Sequence, residues 1–78
     1  MPPPYRLGAF PFMRIRLNGQ DYEIRDGATV EELLRELKLI ADRVAVEVNL
    51  TVVPKGRRGE VSLREGDRVE IVHFVGGG

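Results

Sequence analysis

The chain has 78 residues, of which 42% are hydrophobic and 31% charged. Twelve Lys and Arg residues balance twelve Asp and Glu residues, so no excess of positive charge draws it to nucleic acid. It has no Cys, which excludes disulfides, thiolate metal sites and a thiol nucleophile, and no apolar run approaches the roughly 20 residues that span a bilayer.

A chain of this length forms one domain with a small core. Residues 1–12, MPPPYRLGAFPF, hold four of the five prolines and show no periodic pattern. They lack the apolar stretch and cleavage site of a signal peptide. They read as a flexible extension or an upstream start, with Met13 a sensible first residue of the domain. A sharper alternative makes them a partner-binding arm using Tyr5, Phe10 and Phe12.

Residues 13–27, MRIRLNGQDYEIRDG, alternate strictly on either side of Asn18-Gly19. Asn-Gly fills a two-residue type I′ hairpin turn, whose central residues both need positive φ. That turn places Leu17 opposite Gln20, Ile15 opposite Tyr22 and Met13 opposite Ile24 on a mostly apolar face. The same register pairs Arg16 with Asp21 and Arg14 with Glu23 on the other face. A slip of one residue would undo both patterns at once.

Asp26-Gly27 closes the second strand, and TVEELLRELK follows. Thr29 and Glu32 have the spacing of a capping box. Val30, Leu33, Leu34 and Leu37 form one helical stripe, suited to packing on the hairpin's apolar face. Early acidic residues and a late Lys38 suit the helix dipole. VAVEVN, residues 44–49, is a β-branched interior strand with Val44, Val46 and Val48 on one face. TVVP is a short strand that Pro54 ends or pushes to an edge. KGRRGE reads as a solvated loop, with Lys55, Arg57 and Arg58 as a weaker alternative for phosphate contact. REGD is a turn, and RVEIVHFV, residues 68–75, is the last strand.

The order is β-β-α-β-β-β, an α+β arrangement with a mixed sheet packed on one main helix. Joining the second and third strands through the helix gives the β-grasp fold, with the first and last strands adjacent in mid-sheet. The domain is expected to span residues 13–75, followed by a flexible glycine tail, residues 76–78.

No enzyme-like constellation emerges. Outside the cap, Thr51 and Ser62 have no nucleophile context, the acidic residues have no metal-ligand spacing, and the single His73 reads as a strand residue. In the last strand, Val69 and Ile71 face the helix, while Val72 and Phe74 lie on the charged, exposed face. They form a candidate partner-docking patch.

The patch leads into Gly76, Gly77 and Gly78. Glycine has no side chain to clash, so such a tail can thread a narrow active site and present a bare carboxylate. Transfer of AMP from ATP would activate that carboxylate as an acyl adenylate, and attack by sulfur would yield a thiocarboxylate. A partner enzyme would supply the ATP, the magnesium and the catalysis.

Residues 13–78 resemble the ThiS family, the sulfur carriers of thiamine biosynthesis in the ubiquitin-like β-grasp superfamily. The resemblance rests on MRIRLNG, TVEELL, VAVEVN with VVP, LREGDRVEIVHFV and, most specifically, the ending HFVGGG. It implies a carrier rather than an enzyme, cytoplasmic, monomeric when free, with no bound cofactor. It implies that Gly78 is adenylated by a ThiF-type enzyme using ATP and magnesium. Gly78 then becomes a thiocarboxylate, with sulfur from a cysteine desulfurase or similar donor, and gives that sulfur to thiazole synthase (ThiG). Gly76 and Gly77 complete the arm presented to those enzymes. The same chemistry could serve another product, as in the molybdopterin synthase small subunit, tRNA thiolation or a ubiquitin-like modifier. A β-grasp interaction module with an inert tail is the rival from a different class; removing the tail would leave its partner binding unchanged.

Overall fold

The computed structural model of the chain describes residues 12–74. Strands β1 (Phe12–Leu17) and β2 (Gln20–Arg25) form the expected antiparallel hairpin in the expected register. Asn18 and Gly19 both take positive φ, 49° and 84°, as a type I′ turn requires. Arg16 meets Asp21 at 3.0 Å and Arg14 meets Glu23 at 3.6 Å across the exposed face. Strand β1 starts at Phe12, one residue before the expected boundary, because Phe12 still pairs with Arg25.

Helix α1 (Val30–Glu36) starts at a complete capping box. The Glu32 N–H donates to Thr29 Oγ1 at 3.1 Å, and the Thr29 N–H donates to Glu32 Oε1 at 2.9 Å. That backbone hydrogen bond holds the Glu32 carboxyl below its ordinary value, with help from Arg25. The helix ends sooner than its stripe suggests. Lys38 lies beyond the last turn with φ 60°. The Leu39 N–H reaches the Leu34 carbonyl and the Lys38 N–H reaches that of Arg35, both at 3.0 Å. These are the two bonds of a Schellman ending, with Lys in the place usually filled by Gly.

Strands β3 (Val44–Val48), β4 (Thr51–Val52) and β5 (Arg68–His73) complete a five-stranded sheet in the order β2-β1-β5-β3-β4. Strands β1 and β5 are parallel and adjacent, and the other neighbours are antiparallel, so the sheet is mixed as expected. Strand β3 stops at Val48 because Asn49 and Leu50 turn the chain with positive φ. One sheet face packs on α1. Met13, Ile15, Ile24, Val44, Val46, Val69 and Ile71 meet Val30, Leu33 and Leu34 there, with Val53 and Leu63 closing the core. Each such side chain contributes about 1.5–3 kcal/mol on burial, against about 0–1 kcal/mol for an exposed ion pair. Packing on α1 therefore holds the fold, and the hairpin's charges set register. Among the described residues no helix is long and apolar enough to cross a membrane.

The segment KGRRGE differs from the solvated loop expected of it. It is a 3-10 helix, Lys55–Glu60, and Arg58 is buried, with 6% of its surface exposed. Arg58 Nη1 donates to the Ala41 carbonyl at 2.9 Å and Nη2 to the Val44 carbonyl at 2.7 Å. Lys55 pairs with Asp42, and Arg57 Nε donates to Glu60 Oε1 at 2.7 Å. All three cations are committed to protein partners, so this segment braces the fold and offers no free phosphate cradle.

Candidate functional site

Strand β5 lies in the middle of the sheet and leads toward the C-terminal glycines. Its first half is fixed from both sides. On the β1 side, the Arg16 N–H donates to the Asp67 carbonyl at 2.9 Å and the Asn18 N–H to the Val69 carbonyl at 2.8 Å. There the backbone of β1 turns away. The Asn18 side chain carries the ladder on by one more step. Its Oδ1 accepts the Ile71 N–H at 2.7 Å, and its Nδ2 donates to the Ile71 carbonyl at 3.2 Å. One carboxamide thus replaces the next peptide group of a straight parallel strand.

Other side chains complete the ladder in the same way. Asn49 Oδ1 accepts the Arg68 N–H at 2.9 Å, and the Asn49 N–H donates to the Arg68 carbonyl at 2.7 Å. Asn49 Nδ2 also donates to Asp67 at 3.0 Å. Ahead of β5, Glu65 Oε1 accepts the Arg14 N–H at 2.9 Å, and the Gly66 N–H donates to the Arg14 carbonyl at 2.8 Å. Asn18 was legible as a turn residue only, and Asn49 only as a strand end. Their bonds to β5 depend on partners 53 and 19 residues away, which a linear pattern does not display.

The end of β5 is built differently. Val44 lies opposite His73 and Ala45 opposite Val72 on the β3 side. The Phe74 N–H donates to the Arg43 carbonyl at 2.9 Å, past the end of the strand. Val72 and Phe74 are each 61% exposed, on the face away from α1, where the alternation put them. Val52, similarly exposed, lies across from Glu47 on the same face. Glu47 in turn lies directly opposite Glu70. Two carboxylates facing each other across a strand pair repel. His73 closes the strand as an exposed residue. Val75 and the tail residues Gly76, Gly77 and Gly78 lie outside the described residues.

Groups whose ionisation is displaced lie elsewhere. The Tyr22 hydroxyl donates to Glu36 at 2.5 Å, which pushes its pKa up to about 12. The bond from Lys55 holds Asp42 below its ordinary value. Both are on the helix side and serve structure. Among the described residues no three His, Asp or Glu side chains gather where they could hold a metal. What the arrangement offers is a braced strand leading to an exposed apolar patch, Val72 and Phe74, separated by one residue from the three terminal glycines.

Comparison with known proteins identifies the family. The model of the ThiS family matches residues 15–78. The sulfur carrier protein ThiS of Bacillus subtilis is 43% identical over 65 residues, covering 82% of this chain and 98% of that protein. A thiazole synthase of Magnetococcus marinus is 47% identical over 66 residues, 85% of this chain. The chain spans only about a fifth, 20%, of the length of that relative. The crystal structure of the thiamine biosynthesis protein ThiS from Geobacter metallireducens superposes with a TM-score of 0.75 at 33% identity. It covers 85% of this chain and 100% of that one. The ubiquitin-like β-grasp fold, the braced strand running toward the terminal glycines and these matches lead to one conclusion: the chain belongs to the ThiS family, the sulfur carriers of thiamine biosynthesis.

Proposed function

We propose that the carboxylate of Gly78 is the group that carries sulfur. A ThiF-type enzyme binds the patch of Val72 and Phe74 and draws Gly76, Gly77 and Gly78 into its active site. The Gly78 carboxylate attacks the α-phosphorus of magnesium-bound ATP and displaces pyrophosphate, giving an acyl adenylate. Hydrosulfide, or its equivalent from a cysteine desulfurase or similar donor, then attacks the acyl carbon and expels AMP. The product is a terminal thiocarboxylate, which delivers sulfur to thiazole synthase (ThiG). The carrier supplies no catalytic side chain to any of these steps. ATP-dependent activation suits a cytoplasmic setting.

The observation that carries this reading is the exposure of Val72 and Phe74 at the end of the central strand, separated by one residue from the glycines. Stacking both docking and reaction on one strand fixes their spacing, so an enzyme that grips the patch receives the tail at a set distance. The match to a segment of thiazole synthases supports the choice of acceptor, because a polypeptide of that name contains a stretch like this domain.

Intact-mass measurement tests the proposal. After incubation with a ThiF-type enzyme, magnesium-ATP and sulfide, the protein should gain the mass of one sulfur in place of one oxygen. Fragmentation should assign the change to Gly78. A chain lacking Gly77 and Gly78 should keep its unfolding midpoint and lose the mass gain entirely. An unmodified full-length protein under conditions that convert a control carrier would refute it.

A further inference from the structure

Arg58 is a buried cation whose charge also acts on the nearby Asp42 carboxylate, and its Nε has no hydrogen-bond partner. Burying a charge costs free energy unless its donors are used. Its two terminal nitrogens show where the compensation lies. Strand β4 is only two residues long and pairs with Glu47 and Val48; the Val53 N–H then reaches the Val46 carbonyl. Nothing of β4 reaches the start of β3. Arg58 fills that place from the 3-10 helix, donating to the Val44 carbonyl at 2.7 Å and to that of Ala41 at 2.9 Å.

Those carbonyls bracket the short 3-10 turn Ala41–Arg43, which has no side-chain cap of its own. Between them is the Arg43 carbonyl, and it accepts the Phe74 N–H, the bond nearest the tail among the described residues. On the β1 side, Asn18 bonds only as far as Ile71. The place of Phe74 therefore depends on the 41–44 segment, and that segment depends on Arg58.

We propose that Arg58 is a positioning residue for the docking end of the carrier. By holding the Ala41 and Val44 carbonyls, it fixes the Arg43 peptide that anchors Phe74, and so sets the direction in which the chain leaves the sheet. This rests on the reading of residues 72–78 as the part presented to partner enzymes. Arg58 touches no reacting atom and acts through the backbone, so its removal changes recognition and leaves the chemistry of Gly78 as it was.

Amide hydrogen exchange on the full chain tests the linkage without any enzyme. In Arg58→Met, the Phe74 amide should exchange about tenfold faster relative to that of Ile71, the scale of losing one net hydrogen bond. Arg58→Lys keeps the charge but has a single donor nitrogen where Arg58 uses two, so it should fall between Arg58→Met and the parent. If Arg58→Met does not fold, the Lys variant alone decides. With a ThiF-type enzyme, Arg58→Met should raise KM for the carrier severalfold and leave kcat unchanged, with partial rescue by Lys. An unchanged Phe74 rate overturns the proposal. So does acceleration of Phe74, Ile71 and Val69 by one common factor, which would mark general destabilisation. If the parent chain is never adenylated, the reading of the tail fails, while the exchange result still decides the role of Arg58.

Discussion

Residues 68–71 of β5 are hydrogen-bonded along both edges, to β1, Asn18, Asn49 and β3, and they bury Val69 and Ile71 against the helix side. Residues 72–74 are held from the β3 side, ending at the Arg43 carbonyl, and they expose Val72 and Phe74. One continuous strand thus contains a root that is part of the core and a tip that is part of the surface. On the function proposed above, the domain must remain folded while its end enters other proteins. Dividing the strand this way lets the tip be gripped and released without disturbing the packing that holds the root. Local stability in proteins commonly varies in this manner over short distances.

The sharpest way to break that division is to truncate the neighbours Ile71 and Val72. Ile71→Ala should destabilise the domain by about 2–5 kcal/mol, the range for emptying a packed aliphatic site. It should leave KM for a partner enzyme near its parent value wherever the protein remains folded. Val72→Ala should change stability by less than about 0.5 kcal/mol, as exposed positions do, and weaken partner binding by about tenfold, as at a central interface contact. Chemical denaturation and steady-state kinetics on both variants read out the four quantities. Equal losses of stability would show that root and tip are one unit.

Asn18 gives the next largest effect, because it closes the root on the β1 side. Asn18→Ala removes two hydrogen bonds to Ile71 and places a poorer residue at positive φ. A loss of about 1–3 kcal/mol is expected from the bonds and the backbone strain together. Asn18→Asp separates the contributions. It keeps the acceptor for the Ile71 N–H and loses the donor to the Ile71 carbonyl, so its denaturation midpoint should lie between those of the parent and the Ala variant.

The sequence displayed the tip better than the root. Strict alternation through residues 68–73 placed Val72 outside and Ile71 inside, because a strand with one covered face repeats every second residue. The hairpin register was legible for the same reason, and the helix start was legible because Thr29 and Glu32 are close in the chain. The braces were not. Asn18, Asn49, Glu65 and Arg58 act through backbone groups that folding brings to them from distant segments. Nothing in KGRRGE marks Arg58 as buried, since flanking Gly, Lys and Arg are the composition of a loop. The terminal glycines stood out in the sequence and fall within the span matched by the family; their chemical role is the one proposed above.

Glu70 probes the boundary between root and tip with a smaller effect of opposite sign. It lies directly across from Glu47 on the exposed face, so two like charges oppose each other beside the exposed patch of Val72 and Phe74. Glu70→Gln should stabilise the domain by about 0.2–1 kcal/mol, the scale of a cross-strand charge pair. The gain should shrink in high salt, where exposed charges are screened. Thermal unfolding at low and high ionic strength measures it. No gain at low salt would show that the two carboxylates are already separated by solvent.

Acid offers the mildest perturbation, because the helix cap supports the root from beneath and leaves the tip alone. The Glu32 carboxyl is held below its ordinary value of 4.5, mainly by the Thr29 N–H. A depressed carboxylate pKa adds stability above the unfolded value, and the contribution is lost as pH falls through the folded one. Stability should therefore begin to decline below about pH 4.5 through this group. Glu32→Gln keeps an acceptor for the Thr29 N–H, as capping boxes permit, but has no proton to gain. Its stability should vary less steeply than the parent's in that acid range, and the two curves should converge once Glu32 is protonated. Exchange at Ile71 should follow the parent's decline while Phe74, fastened to Arg43 and not to the helix, responds less. A parallel rise at both amides would mean that the cap governs the whole strand and that the tip has no independence from its root.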